Sequence, residues 1–343
     1  MESIIRKIIV VMLFLGASIG GSVAGQVNIS DGRKAVTKWD DSTWLRKEVK
    51  QLVLDKDFHQ LEKMVIKARA EKQRYKTTAW VLHDLYNAIP YSMSNYEAIY
   101  RFTTEWRNAS PKSNIPDVIE ARAYVARAWA IRGNAKFKNL SSSEYIGFKE
   151  YLEKAWELFY IAENIGPVDA EICTKRTELA FLLHGDKALA QRIFGECVKI
   201  EPGYYPVYNE MLNYLQPKWF GSSKEMLRFV EESAENTKHI DGDGLYSLLV
   251  NARARNTNKL FNENGGEFSW ARTKSGFHDL LTKYGESPYV LHRYGYLAML
   301  VKDYKAFAEV LAKTGTEWDE NKEKYYKKRS WYEHHLNHAK KYL

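Results

Sequence analysis

A repeated spacing of small, aromatic and proline residues constrains this chain more than any other feature of its sequence. The pattern Ala155-x3-Phe159-x2-Ala162-x4-Pro167 recurs 35 positions later as Ala190-x3-Phe194-x2-Cys197-x4-Pro202. The small residue lets two helices approach closely, the aromatic residue fills the groove between hairpins, and the proline ends the helix because it has no N–H to donate. This spacing is typical of the second helix of a tetratricopeptide-type hairpin, with the turn between its helices at Gly185.

We therefore predict an all-α fold, in which residues 42–316 form a single tetratricopeptide-like α-solenoid of antiparallel helical hairpins. Prolines and glycines are scattered along the 343 residues, so no linker divides the chain. Apolar residues at helical spacing predict helices at 45–53, 58–68, 77–89, 96–106, 119–131, 205–215, 224–234, 288–301 and 304–312, besides the two repeat helices. Pro90 is expected to stop the third helix, 134–146 to be an insertion, and 236–244 and 256–269 to be loops.

The first residues resemble a targeting signal rather than part of the fold. Arg6 and Lys7 precede an apolar run at 8–15, and Ser22-Val23-Ala24 has the small-x-small form of a cleavage site. The run is much shorter than the ~20 residues that a membrane-spanning helix needs. We predict a signal peptide at 1–24 rather than an uncleaved anchor, then a flexible stretch at 25–41. The mature chain is expected to be periplasmic or secreted, and no cysteine suggests a lipoprotein.

The chain has a formal net charge of +8, which suggests either affinity for a polyanion or a solvated surface with a lysine excess. Export makes nucleic acid a poor candidate partner. Lysines, arginines and aromatic residues are concentrated in the segment 317–343. We expect this segment to be a helix that caps the open end of the solenoid. The alternative is a tail that binds the membrane surface or an envelope polymer.

Only two cysteines occur, Cys173 and Cys197, and export permits a disulfide between them. Each lies twelve residues from Gly185, so they should lie at the same end of one hairpin. The alternative is that Cys197 serves as the small buried residue that the repeat requires.

No sequence motif predicts catalysis, a cofactor or a metal site. A Gly-x-Ser-x-Gly string around Ser18 lies inside the signal peptide and lacks a strand-to-helix context. His334, His335 and His338 form a histidine cluster without a further ligand, and Asp241 and Asp243 lack the later acidic residue of a calcium loop. We predict a protein that is not an enzyme.

Tyrosine and tryptophan provide rigid contact area with polar tips, so some of them should line the concave face of a solenoid. A groove of this kind would bind a peptide or protein partner, and packing within the hairpins is the alternative role for each residue. The candidate groove residues are Trp129, Arg132, Tyr205, Tyr208, Lys218, Trp219, His292, Arg293 and Tyr296.

Four separated motifs suggest a family. They are Trp129-Ala-Ile-Arg132-Gly133, Tyr204-Tyr205-Pro206-Val-Tyr208, Pro217-Lys218-Trp219-Phe-Gly221-Ser222 and Ser287-Pro288-Tyr289 to Arg293-Tyr294, with Asp57-Phe58 and Trp80 nearer the start. Together they resemble the exported bacterial proteins of domain of unknown function family 4034 over roughly residues 45–315. The resemblance implies a tetratricopeptide-like helical fold and no established activity, catalytic residue or cofactor. Lys218 departs from the arginine expected there, which would weaken any anion or stacking contact at this position.

Overall fold

The computed structural model describes residues 42–133, 139–254, 259–326 and 328–343. The predicted signal peptide and the N-terminal stretch at 25–41 lie outside the described residues. Parts of the predicted insertion at 134–146 and of the predicted loop at 256–269 also lie outside them.

The described residues form sixteen α-helices and two short 3-10 helices, and no β-strand occurs among them. In chain order the α-helices are α1 (Thr43–Asp55), α2 (Phe58–Glu71), α3 (Val81–Tyr91), α4 (Tyr96–Ala109), α5 (Ile115–Arg132), α6 (Ser142–Ile165), α7 (Ala170–His184), α8 (Lys187–Ile200), α9 (Tyr205–Tyr214), α10 (Ser223–Asp241), α11 (Gly244–Arg253), α12 (Trp270–Tyr284), α13 (Pro288–Leu300), α14 (Tyr304–Thr314), α15 (Glu320–Tyr326) and α16 (Arg329–Ala339). The 3-10 helices are Asn262–Asn264 and Lys340–Tyr342. None of the described helices is both long and apolar enough to cross a membrane. The prediction of an all-α fold is confirmed.

Short polar side chains begin nine of the sixteen helices. Each accepts a hydrogen bond from a backbone N–H of the first turn, which satisfies one of the donors that a helix start leaves open. These residues are Asp57, Asn95, Ser141, Asp169, Asp186, Ser222, Ser269, Asp303 and Asp319. Gly185 ends α7 in the left-handed region with φ 60°, so the turn of the repeat lies where the sequence predicts it.

The repeated small and aromatic residues lie on the buried faces of α6 and α8. Ala155, Phe159 and Ala162 of α6 are fully buried, as are Ala190 and Cys197 of α8. Helix α6 packs along α5, and α8 packs along α7; α11 pairs in the same way with α12, and α13 with α14. Connections of only two and three residues join α7 to α8 and α13 to α14, so each of these two pairs is an antiparallel hairpin. The arrangement of the described helices is consistent with an α-solenoid.

Helix α7 lies at the centre of the fold. Ten of its fifteen residues are buried, and they fall on every side of the helix instead of along one stripe. Its neighbours are α6, α8 and α9. Two of the buried residues, Glu171 and Glu178, carry carboxylates, and buried carboxylates need partners of opposite charge.

Between α2 and α3, residues 72–80 form a strap that reaches helices much later in the chain. Nη1 of Arg74 donates to Oδ2 of Asp241 at 2.8 Å and to the hydroxyl of Tyr284 at 2.6 Å, and its Nη2 donates to the carbonyl oxygen of Gly203 at 2.7 Å. These partners lie 129 to 210 positions away in sequence. The strap therefore ties the first hairpin to α10 and α12.

The prediction of a loop at 236–244 is wrong, because α10 continues to Asp241. Ser233, Thr237 and Asp241 lie on its buried side, and Arg74 holds its end.

The hairpin of α11 and α12 has no counterpart in the predicted helices. Helix α11 is short and buried on nearly every side, so it carries no amphipathic stripe to reveal it.

Pro90 lies within the last turn of α3 instead of ending the helix before it. A proline cannot donate to the carbonyl four residues earlier, which is that of Tyr86. Nε of Arg122, on α5, donates to this carbonyl oxygen at 3.2 Å. The buried arginine therefore replaces the hydrogen bond that Pro90 cannot make.

The described part of the segment 317–343 forms two helices, α15 and α16, instead of the single helix predicted. Tyr326 and Tyr332 are buried and contact Phe307 of α14 with ring centroids 6.0 and 5.9 Å apart. A Cβ atom added at Gly295 of α13 would lie only 2.7 Å from the Tyr326 hydroxyl, so the close approach needs glycine there. The segment covers α13 and α14, as a capping segment does.

The structure joins Cys173 of α7 to Cys197 of α8 by a disulfide, with the two Cα atoms 5.6 Å apart. The bond closes a short loop across one hairpin. Replacing both cysteines with alanine should therefore lower the free energy of unfolding by about 3 kcal/mol, mainly because the unfolded chain gains freedom. Urea unfolding with and without a thiol reductant measures this loss.

The double cysteine variant is also the control, since a reductant should leave its unfolding curve unchanged. Two free thiols in the oxidised wild-type protein, with no effect of the reductant on its unfolding midpoint, would contradict the bond.

Candidate functional site

A central cavity of about 440 Å³ lies where the strap, α1, α3, α7, α9, α11 and α13 face one another. Pockets of roughly 300–1,000 Å³ are typical of sites that enclose a small molecule or a side chain of a partner. The side chains that give this cavity its chemistry are Trp80, His83, Lys175, Tyr205, Glu210, Asn251 and Tyr289.

Trp80 is the contribution of the strap to this cavity. Its ring centroid lies 4.3 Å from the guanidinium carbon of Arg74 and 4.9 Å from the ring centroid of Tyr204. Stacking of a guanidinium on an indole ring is favourable, most of all where water is excluded. Because Asp241 and Tyr284 fix Arg74, the same contacts that close the strap also hold Trp80 in place.

His83 is held by the buried carboxylate of Glu171. Its Nδ1 lies 2.9 Å from Oε2 of Glu171, which also accepts from the Tyr204 hydroxyl at 2.6 Å, while Oε1 pairs with Arg122. Burial lowers the pKa of His83 to about 3, and the charges of Arg122 and Lys175 add to the effect. The imidazole is therefore neutral. Because a carboxylate can only accept, the proton lies on Nδ1 and leaves Nε2 as an acceptor.

Glu210 lies near the ion pair of Lys175 and Glu178, and the charges of both act on it. Nζ of Lys175 donates to Oε2 of Glu178 at 2.7 Å, and Nε1 of Trp129 donates to its Oε1 at 2.9 Å. Glu210 itself makes no hydrogen bond or ion pair with any described residue. Burial raises the pKa of Glu210 to about 8, and the charge of Glu178 adds to this against the opposing effect of Lys175. At neutral pH Glu210 is therefore mostly protonated.

A second cavity of about 480 Å³ adjoins the first at Lys175, which lines both. It lies between the end of α3, the start of α4, and the inner sides of α5 and α7. Its wall includes the aromatic side chains of Tyr91, Tyr96 and Trp129 and the carboxylate of Glu178. We call the two cavities together the inner groove.

The structure brings three of the predicted groove residues together. The guanidinium carbon of Arg132 lies 4.9 Å from the ring of Trp129 and 5.7 Å from the ring of Trp219, although Trp219 is 87 positions further along the chain. Lys218 is exposed beside them. Trp129 lines the second cavity and Tyr205 lines the central one, so these two residues belong to the inner groove.

Tyr208 is a predicted groove residue that lies in the packed interior instead. Its hydroxyl donates to the carbonyl oxygen of Pro202 at 2.6 Å, and its ring packs edge-on against Phe194 at 5.3 Å. It fills the space between α8 and α9, so the aromatic residue here serves hairpin packing.

His292 is also buried, between α13 and the C-terminal segment. Its ring stacks on Tyr325 with centroids 5.0 Å apart, and its Nδ1 lies 3.1 Å from the Tyr326 hydroxyl. Arg293 and Tyr296 are partly buried and also contact this segment, through Tyr325 and Trp331 respectively. None of the three lines the inner groove.

His83, Glu210 and Asn251 are functional candidates that the sequence analysis does not single out. Each is one polar residue on an otherwise ordinary helix, without a motif around it. A polar residue on the buried side of a helix is the only signal that could have marked them, and solvated helices carry many residues of the same types.

Among the described residues, no group of three or more histidines, cysteines and carboxylates is arranged to hold a metal ion. In the histidine cluster of α16, His335 is buried and its Nδ1 lies 2.8 Å from the carbonyl oxygen of Trp331. The ring of His338 stacks on Tyr304 at 4.9 Å. The cluster is therefore part of the packing of α16 against α14.

Scans against models of known families, against curated proteins and against solved structures each find no match to this chain. The resemblance to domain of unknown function family 4034 stays a prediction from the sequence motifs.

Proposed function

We propose that this chain is an exported, tetratricopeptide-like binding protein whose inner groove holds a segment of a peptide or protein partner. The observation that carries the proposal is the groove itself, two adjoining cavities lined by side chains from successive helices. Stacked helical hairpins form concave surfaces of this kind, and repeat proteins use them to bind extended segments. Export follows from the signal-peptide pattern in residues 1–24.

The repeat spacing supports the tetratricopeptide-like part of the proposal. Its small residues Ala155, Ala162, Ala190 and Cys197 are fully buried where neighbouring helices meet. The aromatic residue of the second copy, Phe194, packs against Phe229 of α10, which belongs to the following hairpin. Small residues at close approaches and an aromatic residue between hairpins are the roles that the repeat requires.

His83 of the central cavity is better suited to binding than to acid–base catalysis. A general base works best when its pKa lies near the working pH. The pKa of His83 is lowered to about 3 by burial, so its imidazole is a poor base at neutral pH. Its fixed orientation suits it to accept one hydrogen bond from a bound group.

The alternative of an envelope polyanion or membrane surface bound by residues 317–343 has less support. Tyr325, Tyr326 and Tyr332 of this segment are buried, so they are committed to packing. The exposed part carries lysines, and attraction through exposed lysines is screened by salt.

Photo-crosslinking inside the groove tests the proposal. A photo-crosslinking phenylalanine analogue would replace Asn209 in the central cavity and Met93 in the second, with exposed Glu196 of α8 as the control position outside both cavities. Irradiation in the cell that makes the protein should give polypeptide adducts at both groove positions and few at the control. Absence of adducts from both groove positions, or equal yields at the control, would overturn the proposal.

A further inference from the structure

We propose that the central cavity binds the cationic side chain of an arginine or lysine residue of the bound segment. Glu210 serves as the counter-ion and Asn251 as a hydrogen-bond acceptor. This inference rests on the proposed function, since it names the chemistry of the segment that the inner groove holds.

The charge balance of the site is the first argument. Lys175 is committed to Glu178 at 2.7 Å, and Glu210 makes no hydrogen bond or ion pair with any described residue. Ionised Glu210 therefore has no counter-ion of its own in the protein. Because Glu210 is half-buried, its carboxylate is incompletely solvated, and a bound cation would favour the ionised form.

The uncharged polar groups of the cavity point to the same class of ligand. Asn251 is only 8% exposed, it lines the cavity, and its Oδ1 has no hydrogen-bond partner among the described residues. An amide oxygen accepts hydrogen bonds, and His83 offers a second acceptor in Nε2. Ammonium and guanidinium groups carry several N–H donors and no acceptor, so they match this arrangement.

The aromatic rings of the central cavity also suit a cationic side chain. Tyr205, Tyr289 and Trp80 line the cavity, and the face of an aromatic ring attracts a cation. The other charged groups that line it are Asp84 of α3 and Arg46 of α1. Arg46 is exposed, so water screens its repulsion of a bound cation.

The test compares four pentapeptides that differ only in the central residue, which is arginine, lysine, citrulline or glutamate between glycines. Citrulline has the shape of arginine without its charge. Binding to the purified protein at pH 7.5 is followed by NMR shift changes of the Trp80 indole. We expect the arginine and lysine peptides to bind at least tenfold more tightly than the citrulline peptide.

Glu210→Gln should remove most of this tenfold preference, whereas the control Glu196→Gln should leave it unchanged. The variant should fold at least as well as the wild type, because it removes a carboxyl group without a partner, and thermal melting checks this. Binding of the cation ionises Glu210, so affinity for the arginine peptide should rise by up to about tenfold per pH unit between pH 6 and 8 and then level off.

Two results would overturn the inference. One is equal binding of the arginine and citrulline peptides, and the other is tighter binding of the glutamate peptide. If either occurs while photo-adducts still form at Asn209, the groove binds polypeptide and only its preference for a cation is wrong. If no peptide binds and no adduct forms, the proposed function fails as well.

Discussion

Replacing Arg74 with alanine should lower the free energy of unfolding by about 4 kcal/mol, the size expected when one partner of a buried ion pair is removed. The change leaves the buried carboxylate of Asp241, the hydroxyl of Tyr284 and the carbonyl of Gly203 without their shared donor. It also removes the guanidinium stacked on Trp80. Lys283, 3.0 Å from Asp241, still compensates part of the charge, which keeps the loss below the upper end of that range.

Chemical denaturation followed by circular dichroism measures this loss. Arg228→Ala is the matched control, because Arg228 pairs with Glu232 at 3.9 Å and both side chains are 68% exposed. That variant should change the free energy of unfolding by less than about 0.5 kcal/mol. A loss below about 1 kcal/mol for Arg74→Ala would show that the strap does not hold the later helices.

The effect of Arg74 should also depend on pH. Burial acts to raise the pKa of Asp241, but the charges of Arg74 and Lys283 and two hydrogen bonds outweigh it, so the pKa lies below its usual value. A carboxyl group of this kind stabilises the fold above its unfolded-state pKa of ~3.9, and the stabilisation is lost as the pH falls through the folded-state value. The difference between wild type and Arg74→Ala should be constant above about pH 5 and shrink below about pH 4.

Replacing Glu171 with alanine should have a still larger effect, about 5 kcal/mol, because three donors lose one acceptor group. Arg122 becomes a buried cation without its carboxylate, and the hydroxyl of Tyr204 and Nδ1 of His83 lose their hydrogen bonds. Glu171 is fully buried, so water cannot replace it.

The control for this change is Glu153→Ala, since Glu153 is exposed and faces Lys149 at 3.9 Å on the surface of α6. The double variant Glu171→Leu with Arg122→Met should recover part of the lost stability, because two apolar side chains need no counter-ion. If the double variant is no more stable than Glu171→Ala, packing at Glu171 rather than charge accounts for the loss.

Local spacing was enough to predict most of the helices. The repeat around Ala155 and Ala190 identified α6 and α8, and the turn at Gly185 lies where that repeat requires it. Helix α11 escaped prediction because a short helix buried on most sides has no polar stripe, and α10 extends beyond its predicted end because Arg74 holds Asp241. The burial of α11 and the end of α10 both depend on contacts between residues far apart in the sequence.

The candidate site was less accessible to sequence reasoning for the same reason. His83, Glu210 and Asn251 lie on α3, α9 and α11, far apart in the sequence, and only the folded chain brings them to one cavity. Residue type alone also could not distinguish the residues that line the groove from residues of the packed core. Tyr208 and His292 resemble Tyr205 in their mixture of apolar ring and polar tip, yet only Tyr205 lines the central cavity.

The strap also constrains the order in which parts of this chain can fold. Each hairpin joins residues close together in the chain, so it can form as soon as its own residues are available. The contacts of Arg74 need Gly203, Asp241 and Tyr284, up to 210 positions later. A chain that emerges from its N-terminus first therefore carries Arg74 without its carboxylate partner until Asp241, at the end of α10, has appeared. The central cavity needs Tyr289 of α13 as well, so a truncated chain that ends before this helix would lack one of its walls.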